Sequence, residues 1–397
     1  MVGWSHAGQH AYMAGLGVAI PFVVAAFHVS YAEMGVVLAV AAMLGSALQL
    51  LAVVFRRVST RLLLVGQDAG SMLGAALAAL APGIGVFAAG RFLQAITGWP
   101  QHPVGSAYLS NSYPEHRGSV LSWHITAGNV GTLIAPLAVS SVIASGGWQW
   151  GFGLLAILLA TTVAVVAFGL RVPWRSVPRM PSGVDGAGRH EDDSDGSRIG
   201  LIGLLRQRPV ATLLLAGTIA AGGQGIGILG VYAPAYLKSG LGFSALSLGL
   251  ILTVVYLGAV IGPVLMGTFA DRISHRLVLL GNYGLGAVAL LGFAFVGKSI
   301  LALGAVGLFM GIFSYSELSL RQTLFADYVG QESVRAAFGV FFAVSQAVGA
   351  LWVAVIGVVV TDIDFHAAFV TMAGTFVLAG LLVAFGTARS RRASLTV

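Results

Sequence analysis

Four ionised side chains sit inside stretches too apolar to solvate them: Asp68, Arg91, Glu317 and Arg321, with Asp327 at the end of another. Holding a charge in hydrocarbon costs several kcal/mol, so such groups face a cavity or a partner. A carboxylate in that setting can carry a proton; an arginine can hold an anion or set a neighbour's charge. Glu317 and Arg321 are one helical turn apart on one face. They read either as an ion pair steadying that helix or as a proton carrier that parts from its arginine during a cycle. Arg91 reads as an anion contact or a control on a neighbour's protonation, against a structural pair or a snorkelling side chain. Asp68 and His102 stand at similar depth on stretches running opposite ways and are placed to pair.

Histidine titrates near neutral pH, so the histidines are candidates too. His6 and His10 share a helical face, with Met13 next along it. Two histidines at this spacing can bind a metal. No HExxH pattern and no cysteine accompanies them, so a proton relay, substrate contact or packing is read instead and no metal is expected. Of the two, His10 is the better placed. His124 and Asn129 lie further along, and Gln224, Tyr232, Tyr256, Tyr315 and Gln346 add neutral hydrogen-bonding groups that serve either packing or a ligand. Trp99, Trp123 and Trp352 could line a cavity; Trp148 and Trp150 fit an aromatic belt. Glycine patterns such as Gly222-Gly223-Gln224-Gly225-Ile226-Gly227 follow no strand and contain no P-loop lysine. They argue against nucleotide binding and for close helix crossings.

These groups need elements to hold them, and composition says which. The 397 residues are 57% hydrophobic and only 9% charged, whereas a soluble domain carries about 25% charge. A bilayer crossing needs about 20 apolar residues. Twelve such stretches run near 4–27, 33–55, 61–81, 84–108, 118–144, 149–170, 209–236, 243–270, 275–297, 300–325, 335–360 and 366–387. The first lacks a basic leader and is read as a retained span. Zero cysteines exclude disulfides and thiolate metal sites. The net charge of +7 is spread over short loops without interleaved aromatics, which excludes a nucleic-acid surface.

Arg56, Arg57, Arg61, Arg117, Arg272, Arg276 and Arg335 mark alternate loops, and seven arginines lie in 171–208. The opposite loops carry Lys238 and Lys298. This asymmetry puts both termini in the cytoplasm. Residues 171–208 hold Pro173, Pro178, Pro181 and an acidic run, the composition of a cytoplasmic linker with a short amphipathic helix near 198–206. The chain therefore divides into 1–170, a six-helix bundle, and 209–397, a second one. A catalytic domain does not fit in the linker, and no enzyme is expected.

The halves repeat each other. RVSTRLLLVG at 57–66 matches RISHRLVLLG at 272–281 in six of ten positions, and GLGVAIPFV at 15–23 resembles ILGVYAPAY at 228–236. The fold class expected is all-α: twelve transmembrane helices in two pseudo-symmetric six-helix bundles, an arrangement many transporters use.

Three motifs carry a resemblance to a known family. Gly267-Thr-Phe-Ala-Asp271-Arg272-Ile-Ser-His-Arg276 is similar to the loop between spans two and three of the major facilitator superfamily. Arg91-Phe-Leu-Gln-Ala-Ile-Thr-Gly98 resembles its span-four motif, and Gly131-Thr-Leu-Ile-Ala135-Pro136 its antiporter motif, with alanine where glycine is usual. Within the superfamily, His102-Pro103 and Gly128-Asn129-Val130-Gly131 look like fosmidomycin-resistance-type exporters. The resemblance implies a central cavity, alternating access and gating by Arg57, Arg61, Asp271, Arg272 and Arg276. The first-half loop departs from it, with Arg56 where the second half has Asp271. Asp271 is placed to meet the N-terminus of span eleven near Arg335, and Glu115 is a partner for Arg56.

The function expected is secondary active transport in the inner membrane by a monomer. It would use no cofactor, with protons as coupling ion and a small organic compound, drug-like or anionic, exported. His10, Arg91, His124, Asn129, Gln224, Tyr232, Glu317, Arg321 and Gln346 would form the substrate or proton pathway. Two alternatives stay open: import or exchange of an organic anion on the same scaffold, and a non-transporting membrane sensor.

Overall fold

The computed structural model describes residues 1–52, 54–171, 203, 206–329 and 334–387. The described residues are helical, and the chain crosses between two ends of the bundle twelve times. The first six crossings are α1 (Val2–Phe27), α2 (Tyr31–Leu48), α3 (Thr60–Ala79), α4 (Ile84–Thr97) continued by α5 (Ser106–Ser112), α6 (Arg117–Gly146) and α7 (Trp148–Gly169). The second six are α8 (Arg208–Ala220) continued by α9 (Gly230–Ala235), α10 (Ala245–Arg272), α11 (His275–Phe295), α12 (Ile300–Val329), α13 (Val334–Asp362) and α14 (Phe365–Gly386). Ten of the crossings meet length and hydropathy criteria for a membrane span, and a shorter apolar helix lies at Val348–Asp362. Most of 171–208, including the amphipathic helix read near 198–206, lies outside the described residues.

Local chemistry sets the helix ends. Ser30 and Glu33 form a reciprocal capping box at the start of α2, which satisfies two otherwise orphaned backbone N–H groups. The repeated phrase builds the same start twice. Ser59 accepts from the Leu62 N–H at 3.3 Å, and Ser274 accepts from the Leu277 N–H at 3.5 Å. The repeated arginine also does one job twice. Arg61 donates to the Ala167 carbonyl near the end of α7; Arg276 donates to the Ala384 carbonyl near the end of α14 at 2.7 Å and to Thr387 Oγ1 at 2.9 Å. Each arginine meets the negative end of the last helix in its own half.

Three crossings differ from the sequence reading. The fourth, read as continuous over 84–108, leaves the α-helix at Thr97 and passes through a π-turn at Gln101–Gly105 before α5. The second, read as running to 55, leaves the α-helix at Leu48 and tightens into 3₁₀ turns, Gln49–Ala52 and Val54–Arg57, a common way for a helix to end. The seventh, read as continuous over 209–236, is broken: a 3₁₀ turn at Ala221–Gly223, an extended Gln224 (φ −74°, ψ 145°) and a π-turn at Gly225–Leu229 separate α8 from α9. Each interior glycine costs a helix about 1 kcal/mol, and this run places several together.

The halves meet along α1 against α9, α2 against α13 and α6 against α10. Gly17 of α1 lies so close to Gly230 that a Cβ there would strike the Gly230 carbonyl oxygen. Tyr31 Oη and Ser239 Oγ are 2.8 Å apart, and Thr361 Oγ1 accepts from the Ala32 N–H at 2.9 Å. Lys238 stands 5.1 Å over the Phe22 ring. All these contacts lie toward the end of the bundle where α1 finishes and α2 begins. Among the described residues the halves are therefore sealed at that end. The hydrogen bonds that join the two halves among the described residues all lie there.

Candidate functional site

The second-half site is built around a carboxylate. Glu317 and Arg321, on α12, are 0% and 1% exposed, and Arg321 Nε lies 2.7 Å from Glu317 Oε1. Tyr283 on α11 donates to the same oxygen at 2.8 Å. Gln224 Nε2 donates to Oε2 at 2.9 Å, and it reaches there because the break after α8 turns it inward. The guanidinium of Arg321 lies 4.4 Å over the Phe341 ring and Nη1 donates to Ser345 Oγ at 3.3 Å. One carboxylate thus ties three crossings together. A charge buried this way keeps its place only through such partners, and any step that neutralises it removes the Arg321 ion pair and weakens the other two contacts.

The first-half site is a polar network. Asp68 Oδ1 accepts from Ser5 Oγ at 2.9 Å, Gln9 Nε2 at 3.1 Å and Gln67 Nε2 at 3.0 Å. Gln101 Oε1 accepts from Gln67 Nε2 at 2.6 Å and from Ser5 Oγ at 3.0 Å. Arg91, 5% exposed, donates to Gln94 Oε1, and Gln94 Nε2 approaches Gln9 Oε1 at 3.5 Å. Arg91 and Asp68 are therefore joined through two glutamines. The pairing of Asp68 with His102 expected from depth is not formed: Ser5, Gln9 and Gln67 take the carboxylate instead. His102 lies beside the α1 histidines.

His102 turns toward α1. The ring centroids of His6 and His10 are 4.5 Å apart, and that of His102 lies 5.2 Å from His6 and 6.3 Å from His10. His124 stacks on His6 at 4.0 Å. The crossing that seats these rings depends on the glycines of 128–131. A Cβ on Gly128 would lie 2.9 Å from His6 Cε1 and 3.1 Å from His10 Cδ2, and one on Gly131 would strike the Ala7 carbonyl.

The remaining candidates scatter. Asn129 is half-buried on α6, near the histidines in sequence. Tyr232 is fully buried and donates to the Val353 carbonyl at the contact of α2 with α13, away from Glu317. Tyr256 and Tyr315 meet edge to face at 5.9 Å. Trp352 Nε1 donates to the Thr218 carbonyl at 2.7 Å, Trp99 is buried and Trp123 is exposed. The side chains of Gln346, Arg56, Arg57 and Arg335 lie outside the described residues. Arg272 is exposed. Asp271 approaches His275 at 3.4 Å, and His275 in turn contacts Asp327 at 2.6 Å. The partner expected for Asp271 near Arg335 lies outside the described residues; within them Asp271 meets His275 on α11.

Reading residues singly missed Ser5, Gln9, Gln67, Gln94, Gln101 and Tyr283. The signal was present: Ser5 and Gln9, Gln67 and Ser71, and Arg91 and Gln94 are polar pairs at helical spacing inside apolar stretches.

Twelve crossings in two facing halves joined at one end, with buried charge in both halves, define the two-bundle fold that membrane transporters use. The family model described as Major Facilitator Superfamily matches residues 5–248 and 213–396, and the chain belongs to that superfamily. A probable multidrug-efflux transporter of Mycobacterium tuberculosis is 32% identical over a stretch covering 28% of this chain and 26% of that relative; the chain thus matches about a quarter of the relative's length. Among solved structures, the nucleoside transporter NupG aligns over 98% of both chains with a TM-score of 0.76 and 13% identity. A POT family transporter in complex with 5-aminolevulinic acid aligns over 97% of this chain and 94% of its own, with a TM-score of 0.74 and 12% identity. A bacterial homolog of the human lysosomal transporter Spinster, inward-facing and occupied, covers 97% and 95% with a TM-score of 0.70 and 15% identity. These likenesses establish the fold. The protein is a multi-pass membrane protein of that superfamily.

Proposed function

We propose that this transporter is a proton-coupled exporter of small organic compounds in the inner membrane, working as a monomer with both termini cytoplasmic. The observation that carries the reading is Glu317. It is a fully buried carboxylate whose oxygens are held by Arg321, Tyr283 and Gln224 beside a broken helix. A proton arriving from outside neutralises Glu317, removes the Arg321 ion pair, weakens the other two contacts and favours one cavity orientation; substrate favours the other. Coupling needs only that each ligand bind the two states differently. The loop arginines support the orientation, which puts the joined end of the halves outside and has the cavity open at the cytoplasmic end. The efflux relative supports export. Arg57, Arg61, Asp271, Arg272 and Arg276 would tune the closing of that end.

Reconstituted vesicles test this. With an imposed pH gradient, the parent protein should move a fluorescent organic anion such as carboxyfluorescein, or the dye ethidium, against its gradient. Glu317→Gln should leave only downhill movement. Gradient-independent transport by both proteins would sink proton coupling.

Arg91 supports a second reading, exchange or import of an organic anion, since it is a buried cation with one polar side-chain partner, Gln94. Counterflow that proceeds at full rate without a pH gradient, and fails in Arg91→Gln, would favour it.

A further inference from the structure

We infer that His6, His10 and His102 form a binding site for a divalent transition-metal ion, with Zn²⁺ the best fit. One ring nitrogen from each residue can be chosen so that all three lie within 4.8 Å of one another. The three come from two crossings: His6 and His10 from successive turns of α1, and His102 from the π-turn Gln101–Gly105 between α4 and α5. π-turns of this kind concentrate at functional sites.

Hydrogen bonds fix which nitrogens carry lone pairs. His6 Nδ1 lies 2.7 Å from the His124 carbonyl. A carbonyl only accepts, so Nδ1 holds the proton and Nε2 is the bare nitrogen. His6 Nε2 is buried and has no hydrogen-bond partner. His10 Nδ1 lies 3.0 Å from Thr132 Oγ1, whose own proton goes to the Gly128 carbonyl at 3.2 Å. Thr132 must therefore accept from His10, which leaves His10 Nε2 bare as well. An imidazole that donates one N–H to a carbonyl or hydroxyl and offers the other nitrogen is the arrangement metal-bound histidines use. The bare His6 nitrogen, buried with no hydrogen-bond partner, is one that a metal ion would satisfy.

The donor set selects the ion. Three neutral imidazoles with no thiolate suit zinc, nickel or cobalt and do not suit calcium or magnesium. Zinc–nitrogen bonds of about 2.1 Å need nitrogens roughly 3–4 Å apart, so the rings must close slightly. His102 is the exposed member of the three. It also leaves one side of the ion open for water or for an oxygen or nitrogen of a small chelating molecule. The site stands independently of the transport reading.

The test uses full-length protein in detergent, purified with a histidine-free tag and titrated with Co²⁺ by absorbance and with Zn²⁺ by calorimetry. One ion per chain should bind saturably, and cobalt should show the ligand-field bands of nitrogen coordination. His10→Ala and His102→Ala should each weaken binding by well over tenfold. Thr132→Val, which removes only the group orienting His10, should weaken it about tenfold. His366→Ala, an exposed histidine on α14, should change nothing. His102→Ala is the safeguard against misfolding because its side chain is exposed; its melting temperature should match the parent. Binding that does not saturate, or that is equal in the parent, His10→Ala and His102→Ala, would overturn the site, as would an equal loss in His366→Ala.

Discussion

Tyr283 and Arg321 share one oxygen of Glu317: Oε1 lies 2.8 Å from the tyrosine hydroxyl and 2.7 Å from the guanidinium Nε. The tyrosine comes from α11 and the arginine from one turn along α12, so the carboxylate is pinned both within its helix and across to the next. Breaking one side of a buried pair costs about 3–5 kcal/mol, because the survivor stays charged and unpaired. Glu317→Gln and Arg321→Met should each lower the melting temperature sharply. The double substitution should be less damaging than the sum of the two. Additive losses in thermal unfolding would show that the pair is not energetically coupled.

Tyr283→Phe keeps the ring and deletes one donor. It should cost about 1–3 kcal/mol, as for a hydrogen bond to a charged group, and slow gradient-driven vesicle transport while leaving the fold intact. A variant with parent-like rate would remove Tyr283 from the site.

Arg276 should hold down the end of α14. Losing its bonds to the Ala384 carbonyl and Thr387 Oγ1 removes two charge-assisted contacts. Arg276→Ala should raise amide exchange near residues 383–387 by about tenfold, equivalent to about 1.4 kcal/mol. The effect should stay in the second half, and Arg61→Ala should loosen the end of α7 in the same way. Faster exchange across the whole chain would argue for a global role instead.

The sealed end depends on a glycine. Gly17→Val puts a side chain where the Gly230 carbonyl stands, so the halves should part there. The native chain has no cysteine. Spin labels on Tyr31→Cys and Ser239→Cys therefore report the gap directly, and the distance should lengthen in Gly17→Val. An unchanged distance would mean α1 and α9 absorb the extra methyls without separating.

The loop between α10 and α11 should respond weakly and unequally. His275 contacts Asp327 at 2.6 Å and the more exposed Asp271 at 3.4 Å. Exposed pairs contribute about 0.2–1 kcal/mol. Asp327→Asn should therefore shift cysteine accessibility in the cleft more than Asp271→Asn, and Asp271→Asn more than Arg56→Gln. Salt should shrink all three effects. An order with Arg56→Gln largest would move the latch to the first half.

Much of this protein was legible in its sequence. Apolar length marked every crossing, and the scarcity of charge made Asp68, Arg91, Glu317 and Arg321 stand out one by one. The repeated phrase marked two parallel halves, and the structure gives its two copies matching helix starts through Ser59 and Ser274. What only the tertiary structure decided is which of these groups meet. Gln224 and Glu317 are 93 residues apart in the chain, and their contact depends on a helix break and on how each helix is turned about its axis. In a soluble protein the apolar stripe discloses that rotation. Here lipid and core are both apolar, so a helix is hydrophobic all round and its inward face is hidden until its neighbours pack. His102 shows the consequence: the direction that takes it to His6 and His10 rather than Asp68 was set by packing alone.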